Sequence, residues 1–181
     1  MREKLKAADL KAEPPLSALK EGRMQNAKPM IIALPGRPPI ILSFLLLDFT
    51  GTLAKDGDLL PGIAMRLKRW CRRLKITVVT ADTMSCAERA LKGLPVEIRI
   101  IKTGADKARL VDALGAAHLV AIGNGNNDVE MIRRAAIGIS VVGPEGTSGA
   151  LVAATDVVVR DICDGFDLLS NPLRMMATLR R

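Results

Sequence analysis

A largely apolar run from Ile40 to Leu47 ends in Asp48-Phe49-Thr50-Gly51-Thr52, so a carboxylate stands where a buried strand runs out into a glycine-bearing loop. Ligands of open α/β sheets bind outside the carboxyl ends of the strands, and Asp-x-Thr-Gly-Thr at such an end offers a nucleophile, two hydroxyls and a backbone that can approach a phosphoryl group. Three further groups fall at comparable places. Thr80 closes Val78-Val79-Thr80-Ala81-Asp82, where its hydroxyl and the following amides can bind a phosphoryl oxygen at a helix start. Lys107 lies in the first turn of a later helix, placed to offset negative charge on a phosphoryl group and an attacking carboxylate. Gly123-Asn124-Gly125-Asn126-Asn127-Asp128 sets oxygen ligands in a loop that can hold Mg²⁺.

Each has an ordinary explanation if taken alone. Asp48 can be a strand-end turn former, Thr80 and Asp82 helix caps, and Lys107 one of many surface lysines, with Lys102 a competitor for its role. Asn126, Asn127 and Asp128 can cap a helix and tolerate turn geometry. Independent coincidence of all four at strand ends is the weaker explanation.

The elements that would position these groups alternate. The sequence predicts strands at Phe44 to Phe49, Ile76 to Val79, Val96 to Ile101, His118 to Ile122, Ile139 to Val142 and Val157 to Val159. Between them it predicts helices from Pro61 to about Leu74, Thr83 to Leu91, Asp106 to Leu114, Asn127 to Ala136 and Ser148 to Ala154, with a last helix from Ile162. Gly138 reads as the stop of the helix from Asn127. Asp56-Gly57-Asp58 reads as a turn inside a short flap, and Met30 to Leu34 with Pro39 to Leu42 as a hairpin turned by Pro35-Gly36-Arg37. Strand-helix alternation with short connections predicts an α/β, Rossmann-like three-layer sandwich on a mostly parallel sheet. Residues 1–29 read as a poorly ordered basic extension with Met24 and Met30 as alternative starts, and 30–181 as one domain.

Composition agrees with that architecture. Of 181 residues, 49% are hydrophobic but only 2% aromatic, so the core must be aliphatic, as suits a parallel sheet covered by helices. Three scattered cysteines form no disulfide framework and no metal-ligand pattern, which favours reduced thiols in a cytoplasmic protein. No apolar stretch approaches the ~20 residues of a membrane helix. The net charge of +8 raises polyanions as partners, but its densest cluster, Arg66 to Lys75, reads as the solvated face of an amphipathic helix. Nucleic acid is therefore not expected as a partner. His118, the only histidine, starts a strand at the end opposite the motifs and is expected to be structural.

On these residues the chain resembles the haloacid dehalogenase (HAD) superfamily, and within it the soluble P-type ATPase-like group, over about residues 30–181. The resemblance includes Gly36-Arg37 before the first strand and the tail from Asn171 to Arg180. It implies an Mg²⁺-dependent hydrolase, a phosphatase or ATPase-like enzyme acting through an aspartyl-phosphate. In that scheme Asp48 is the nucleophile, Thr50 and Lys107 belong to the catalytic set, and Gly51, Thr80, Ala81 and Lys107 bind the phosphoryl group. Asp48, the Thr50 carbonyl, Asn124 and Asp128 would hold the metal, with Asn127 supporting.

Two departures carry chemistry. Thr50 stands where most phosphatases of the superfamily have a second Asp as general acid and base, which implies slow turnover. Asn124 stands where most have an Asp on the metal. The spacings between motifs leave no room for a cap domain, and members without one act on macromolecular phosphates or complete the site with a neighbouring subunit. A phosphorylated substrate and a homo-oligomer are thus the expected partners, and ion pumping is not expected. The alternative is a degenerate member that binds phosphate or a phosphoprotein without turnover.

Overall fold

The structure, a computed structural model, describes residues 30–33, 38–81 and 86–180. The extension 1–29, the turn at Pro35-Gly36-Arg37, Asp82 and the helix start at Thr83 lie outside the described residues.

Six parallel strands form the central sheet, in the order β10-β9-β8-β3-β6-β7. They are β3 (Phe44–Asp48), β6 (Lys75–Thr80), β7 (Glu97–Ile100), β8 (Leu119–Gly123), β9 (Ile137–Val141) and β10 (Val157–Val159). The chain builds outward from β3 through β6 to β7, then returns to the other side of β3 with β8. The order therefore reverses between β3 and β8, the crevice where this architecture binds ligands. Asp48 and the loop after Gly123 open onto that crevice from adjacent strands.

Both faces of the sheet are covered. On one side α1 (Ile63–Trp70), α2 (Cys86–Ala90), α6 (Ile162–Ser170) and α7 (Pro172–Leu179) bury Leu67, Trp70, Phe166 and Met175 against Leu45, Leu47 and Ile122. On the other, α3 (Gly104–Leu114), α4 (Val129–Arg134) and α5 (Gly149–Val152) bury Val111, Met131 and Leu151 against Leu46, Val79 and Ala121. Strands covered twice have no polar face, which is why β3 and β8 read as continuous apolar runs. A small antiparallel hairpin, β1 (Met30–Ile32) and β2 (Ile40–Leu42), packs beneath the first layer.

α1 takes its direction from the stripe Ile63, Leu67 and Trp70, spaced to one helical face and buried, while Met65, Lys68 and Arg69 face water. The basic cluster is a solvated face, as expected, and Arg73 lies over the Trp70 ring at 5.8 Å.

Several boundaries differ from the sequence reading for physical reasons. Helix α3 begins two residues before Asp106 because Thr103 caps it, its hydroxyl accepting from the Asp106 amide at 3.1 Å. That hydroxyl also donates to Asp106 and holds its carboxyl below the usual range. Gly138 does not stop a helix. It lies inside β9, where a Cβ would stand 2.5 Å from Ile132 Cγ2, so the strand needs glycine to let α4 pack close. The last helix is two, divided at Asn171, because Pro172 starts a new first turn. His118 lies in a short 3₁₀ turn (Ala116–His118) before β8 and meets the Ile41 carbonyl through Nδ1 at 2.8 Å, far from the motif-bearing strand ends. Among the described residues no helix is long and apolar enough to cross a membrane.

Candidate active site

The loop after β3 turns back at once: the amides of Leu53 and Ala54 both donate to the Phe49 carbonyl, and the Gly51 amide to Ala54. Gly51 sits at φ 74°, and a Cβ there would lie 2.2 Å from the Asn124 side-chain nitrogen. Glycine is thus required twice at one position, by conformation and by contact with the loop after β8. Next comes a two-strand flap, β4 (Ala54–Lys55) and β5 (Asp58–Leu59), turned by Asp56 and Gly57.

Lys107 organises the centre. Its Nζ donates to Asp48 Oδ1 and to Asp128 Oδ1, each at 2.6 Å, with side-chain exposures of 0% for Lys107, 8% for Asp48 and 0% for Asp128. Position sets this geometry, since Lys107 lies in the first turn of α3, on the layer that covers Asp128. Lys102 is exposed and faces a different surface cleft beside Arg99 and Asp106. The structure brings Lys107 to Asp48, and not Lys102.

Asp128 is held from three directions. Besides Lys107, the amides of Asn124 and Gly125 donate to its Oδ2 at 3.1 and 2.9 Å. The Thr52 hydroxyl lies 3.2 Å from Asn124 Oδ1 and 3.4 Å from Asp48 Oδ2, and its single proton serves one of them at a time. Asn124 donates its amide to the Gly146 carbonyl at 3.2 Å. Thr80 ends β6, buried, and Ala81 beyond it lines the cleft. The cleft, about 650 Å³, is lined by Asp48, Phe49, Thr50, Asn124, Gly125 and Asn127, with Asp56, Gly57, Cys86 and Glu145 at its rim.

Two carboxylates and one ammonium leave this buried group one negative charge in excess. Burial is the main force raising the Asp48 carboxyl, to about 7, and repulsion from Asp128 adds to it against the opposing pull of Lys107. Burial works against the charge on Lys107, but the two carboxylates outweigh it and hold its pKa above the ordinary lysine value. Between an ordinary carboxyl at 3.8 and about 7 the folded state therefore holds a proton that the unfolded state has lost. Stability from this group is full below the lower value and declines as pH rises through the higher one. In chelator, thermal unfolding midpoints should fall between about pH 4 and pH 7 and level off above that. Asp48→Asn should flatten that slope, and an unchanged slope would assign the dependence to other groups.

The residues suit a hard cation. Carboxylate oxygens of Asp48 and Asp128, the Asn124 side-chain oxygen and the Thr50 carbonyl make an oxygen-only set, of the kind Mg²⁺ takes while keeping part of its water. Only two are charged, and no cluster of three His, Cys, Asp or Glu suited to a metal occurs among the described residues. An added charge should show. Asn124→Asp is expected to lower the Mg²⁺ concentration for half-maximal effect about tenfold, measured by metal titration of activity or of thermal stability. An unchanged midpoint would remove Asn124 from the metal.

A protein of Legionella pneumophila assigned to the HAD superfamily (subfamily III A) hydrolases superposes over 76% of this chain and 87% of its own, with a TM-score of 0.61 at 13% identity. The 3-deoxy-D-manno-octulosonate 8-phosphate phosphatase of Moraxella catarrhalis, solved with magnesium and phosphate ions and KDO, covers 77% of this chain and 94% of its own, with a TM-score of 0.56 at 18% identity. The chain has the HAD fold.

The catalytic domain of the CPx-ATPase CopB-B shares the HAD fold over 62% of this chain and 46% of its own, with a TM-score of 0.53 at 20% identity. No family model matches the chain. Over 62 residues it is 47% identical to the uncharacterized protein MJ0073 of Methanocaldococcus jannaschii, which amounts to 34% of this chain and 67% of that protein, and the two belong to one family.

The contacts of two residues at this site escape the sequence reading. Thr52 lies inside the first motif, yet its hydroxyl joins that motif to Asn124. Glu145 reaches the rim from the loop after β9, and its Oε1 accepts from the Asp56 amide at 3.1 Å. The signal available was Gly143-Pro144-Glu145-Gly146-Thr147 directly after a strand, a loop at the ligand-binding edge.

Proposed function

We propose that this chain is a phosphohydrolase that depends on a divalent cation and passes through an aspartyl-phosphate on Asp48. The observation that carries the reading is the buried Lys107 ammonium bridging Asp48 and Asp128 at the head of an open cleft. A structural ion pair needs one carboxylate, and burying a second raises its cost. A site that must meet a phosphoryl dianion uses all three.

In this reading Asp48 Oδ2, which Lys107 leaves uncovered, attacks phosphorus. Lys107 keeps Asp48 oriented and offsets charge on the phosphoryl oxygens, while Asp128 fixes the ammonium from the far side. Thr80, Ala81 and Gly51 frame the phosphoryl group. Mg²⁺, held by Asp48, Asp128, Asn124 and the Thr50 carbonyl, would add positive charge against the same oxygens. Phosphoryl transfer needs mainly positioning and charge stabilisation, which this set supplies.

Incubation with Mg²⁺ and acetyl phosphate, followed by intact-protein mass spectrometry and assay of released phosphate, tests the proposal. The expected result is one phosphate mass added to the wild type, or Mg²⁺-dependent phosphate release. Absence of both would turn the reading to a binding module. Thr50 brings no usable proton to the reaction, so the adduct should be long-lived. Thr50→Asp is expected to shorten its lifetime by ~10²-fold or more, the usual scale of general acid-base assistance. An equal lifetime at equal folded fraction would discard that role for position 50.

One observation favours the second reading, a phosphate- or phosphoprotein-binding module without turnover. Both polar atoms of the Asn124 side chain already have partners inside the protein, Thr52 and Gly146. Such a module would bind phosphate without forming the adduct.

A further inference from the structure

We propose that Glu145 is the general acid and base that the nucleophile's loop lacks. The proposal rests on the reading of Asp48 as a phosphorylated nucleophile. Thr50 supplies a hydroxyl where proton transfer to a leaving group and from water calls for a carboxyl. Among the described residues, three carboxylates line the cleft: Asp48, Asp56 and Glu145. Asp48 forms the covalent bond, which leaves two for proton transfer.

Asp56 forms the tip of a two-residue turn, with φ at 52°, and it is tied to the rest of the site through its backbone amide, which donates to Glu145, while its carboxylate stands on the flap. Glu145 is carried on the frame of the nucleophile itself. On one side of it, a Cβ at Gly143 would stand 2.9 Å from the Gly51 carbonyl oxygen, so the two loops touch. On the other, Gly146 accepts from the Asn124 side chain, and Thr147 and Ser148 both donate to the Asn124 carbonyl at 3.0 and 2.9 Å. The residue between these fastenings cannot move far without moving the loops of Asp48 and Asn124. Its Oε1 accepts from the Asp56 amide, and its Oε2 has no partner among the described residues.

The chemistry balances with one carboxyl. In the first step a bond forms between Asp48 Oδ2 and phosphorus as the ester P–O bond breaks, and Glu145 gives its proton to the departing oxygen. In the second, the Glu145 carboxylate takes a proton from water as that water bonds to phosphorus and the bond to Asp48 breaks. Inorganic phosphate leaves, Asp48 is again a carboxylate, Glu145 again an acid, and one water has been consumed. Acting from the rim and bonded to the flap, Glu145 replaces an acid beside the nucleophile only in part, so Thr50→Asp still accelerates the wild type.

Glu145→Gln separates the proton from the tether, because the amide keeps an oxygen for the Asp56 amide. The probes are an alkyl phosphate, whose leaving oxygen needs a proton, and p-nitrophenyl phosphate, whose leaving oxygen does not. The expected result is a fall in kcat/KM of ~10²-fold or more on the alkyl phosphate against a severalfold change on the nitrophenyl ester. Thr50→Asp in the Glu145→Gln background should restore the alkyl phosphate rate. An equal loss on both substrates without that rescue would make Glu145 a tether of the flap. No loss, or the same leaving-group-dependent loss in Asp56→Asn instead, would overturn the assignment. Failure of the wild type to show any Asp48-dependent turnover would overturn the aspartyl-phosphate reading and this proposal together.

Discussion

Asp48→Asn is expected to abolish the phosphate adduct and all Mg²⁺-dependent turnover while leaving the protein as stable as the wild type at neutral pH, or more so. The first half follows from covalency, since an amide is no nucleophile and neighbouring groups have no second path to the same intermediate. The loss should be on the order of 10⁴-fold or more, as when other covalent nucleophiles are removed. The second half follows from charge. Asp48 is almost fully buried, and burial together with Asp128 raises its carboxyl to about 7. Around neutrality the fold therefore strains against ionising this group, while asparagine of the same shape carries no charge to desolvate. Lys107 keeps Asp128 as its counter-ion at 2.6 Å. Intact mass after acetyl phosphate, with thermal melts in chelator at pH 7.5, checks both halves. A phosphate adduct surviving in the variant would place the acceptor elsewhere. A marked loss of stability would mean that Asp48 is there to hold Lys107, as a structural pair.

The parallel sheet was legible because its strands are buried on both faces, so that Leu45-Leu46-Leu47 and Leu119-Val120-Ala121-Ile122 need no alternation to be recognised. Strand-end positions followed from that, and with them Asp48, Thr80 and the loop after Gly123. Boundaries fixed by tertiary contact were not legible. Gly138 looks like a helix stop in the sequence, yet it is a strand residue chosen by the proximity of Ile132. Distances between loops were likewise hidden. Nothing local to Thr52 or Glu145 says that one touches Asn124 and the other the flap, because both contacts cross more than seventy residues and arise only when β3, β8 and β9 lie side by side. The choice between Lys107 and Lys102 was open for the same reason. It depends on where Thr103 caps α3, which sets the face from which the lysine in the first turn points.

Lys107→Met should be the most destabilising single change at the site, by about 3–5 kcal/mol at pH 7.5, the cost of leaving buried charge without its partner. Methionine fills much of the volume of the lysine stem, so the loss reports charge more than cavity. Asp48 and Asp128 would then face each other across the space where each now lies 2.6 Å from the ammonium. Two carboxylates in that position cannot both stay ionised, so one takes up a proton and the variant recovers stability as pH falls toward 5. Mg²⁺ should recover part of it at pH 7.5 by supplying positive charge to the same oxygens. Denaturant unfolding of wild type and variant at both pH values, with and without Mg²⁺, measures each term. The double variant Lys107→Met with Asp48→Asn gives the sharpest check. If the three groups act as one charge cluster, removing the second carboxylate relieves much of the damage, and the two changes are strongly non-additive. Additive losses, or a loss indifferent to pH, would mean that Lys107 stabilises the fold through packing, and would take from the cluster the electrostatic tension on which the reading of Asp48 as a phosphoryl acceptor depends.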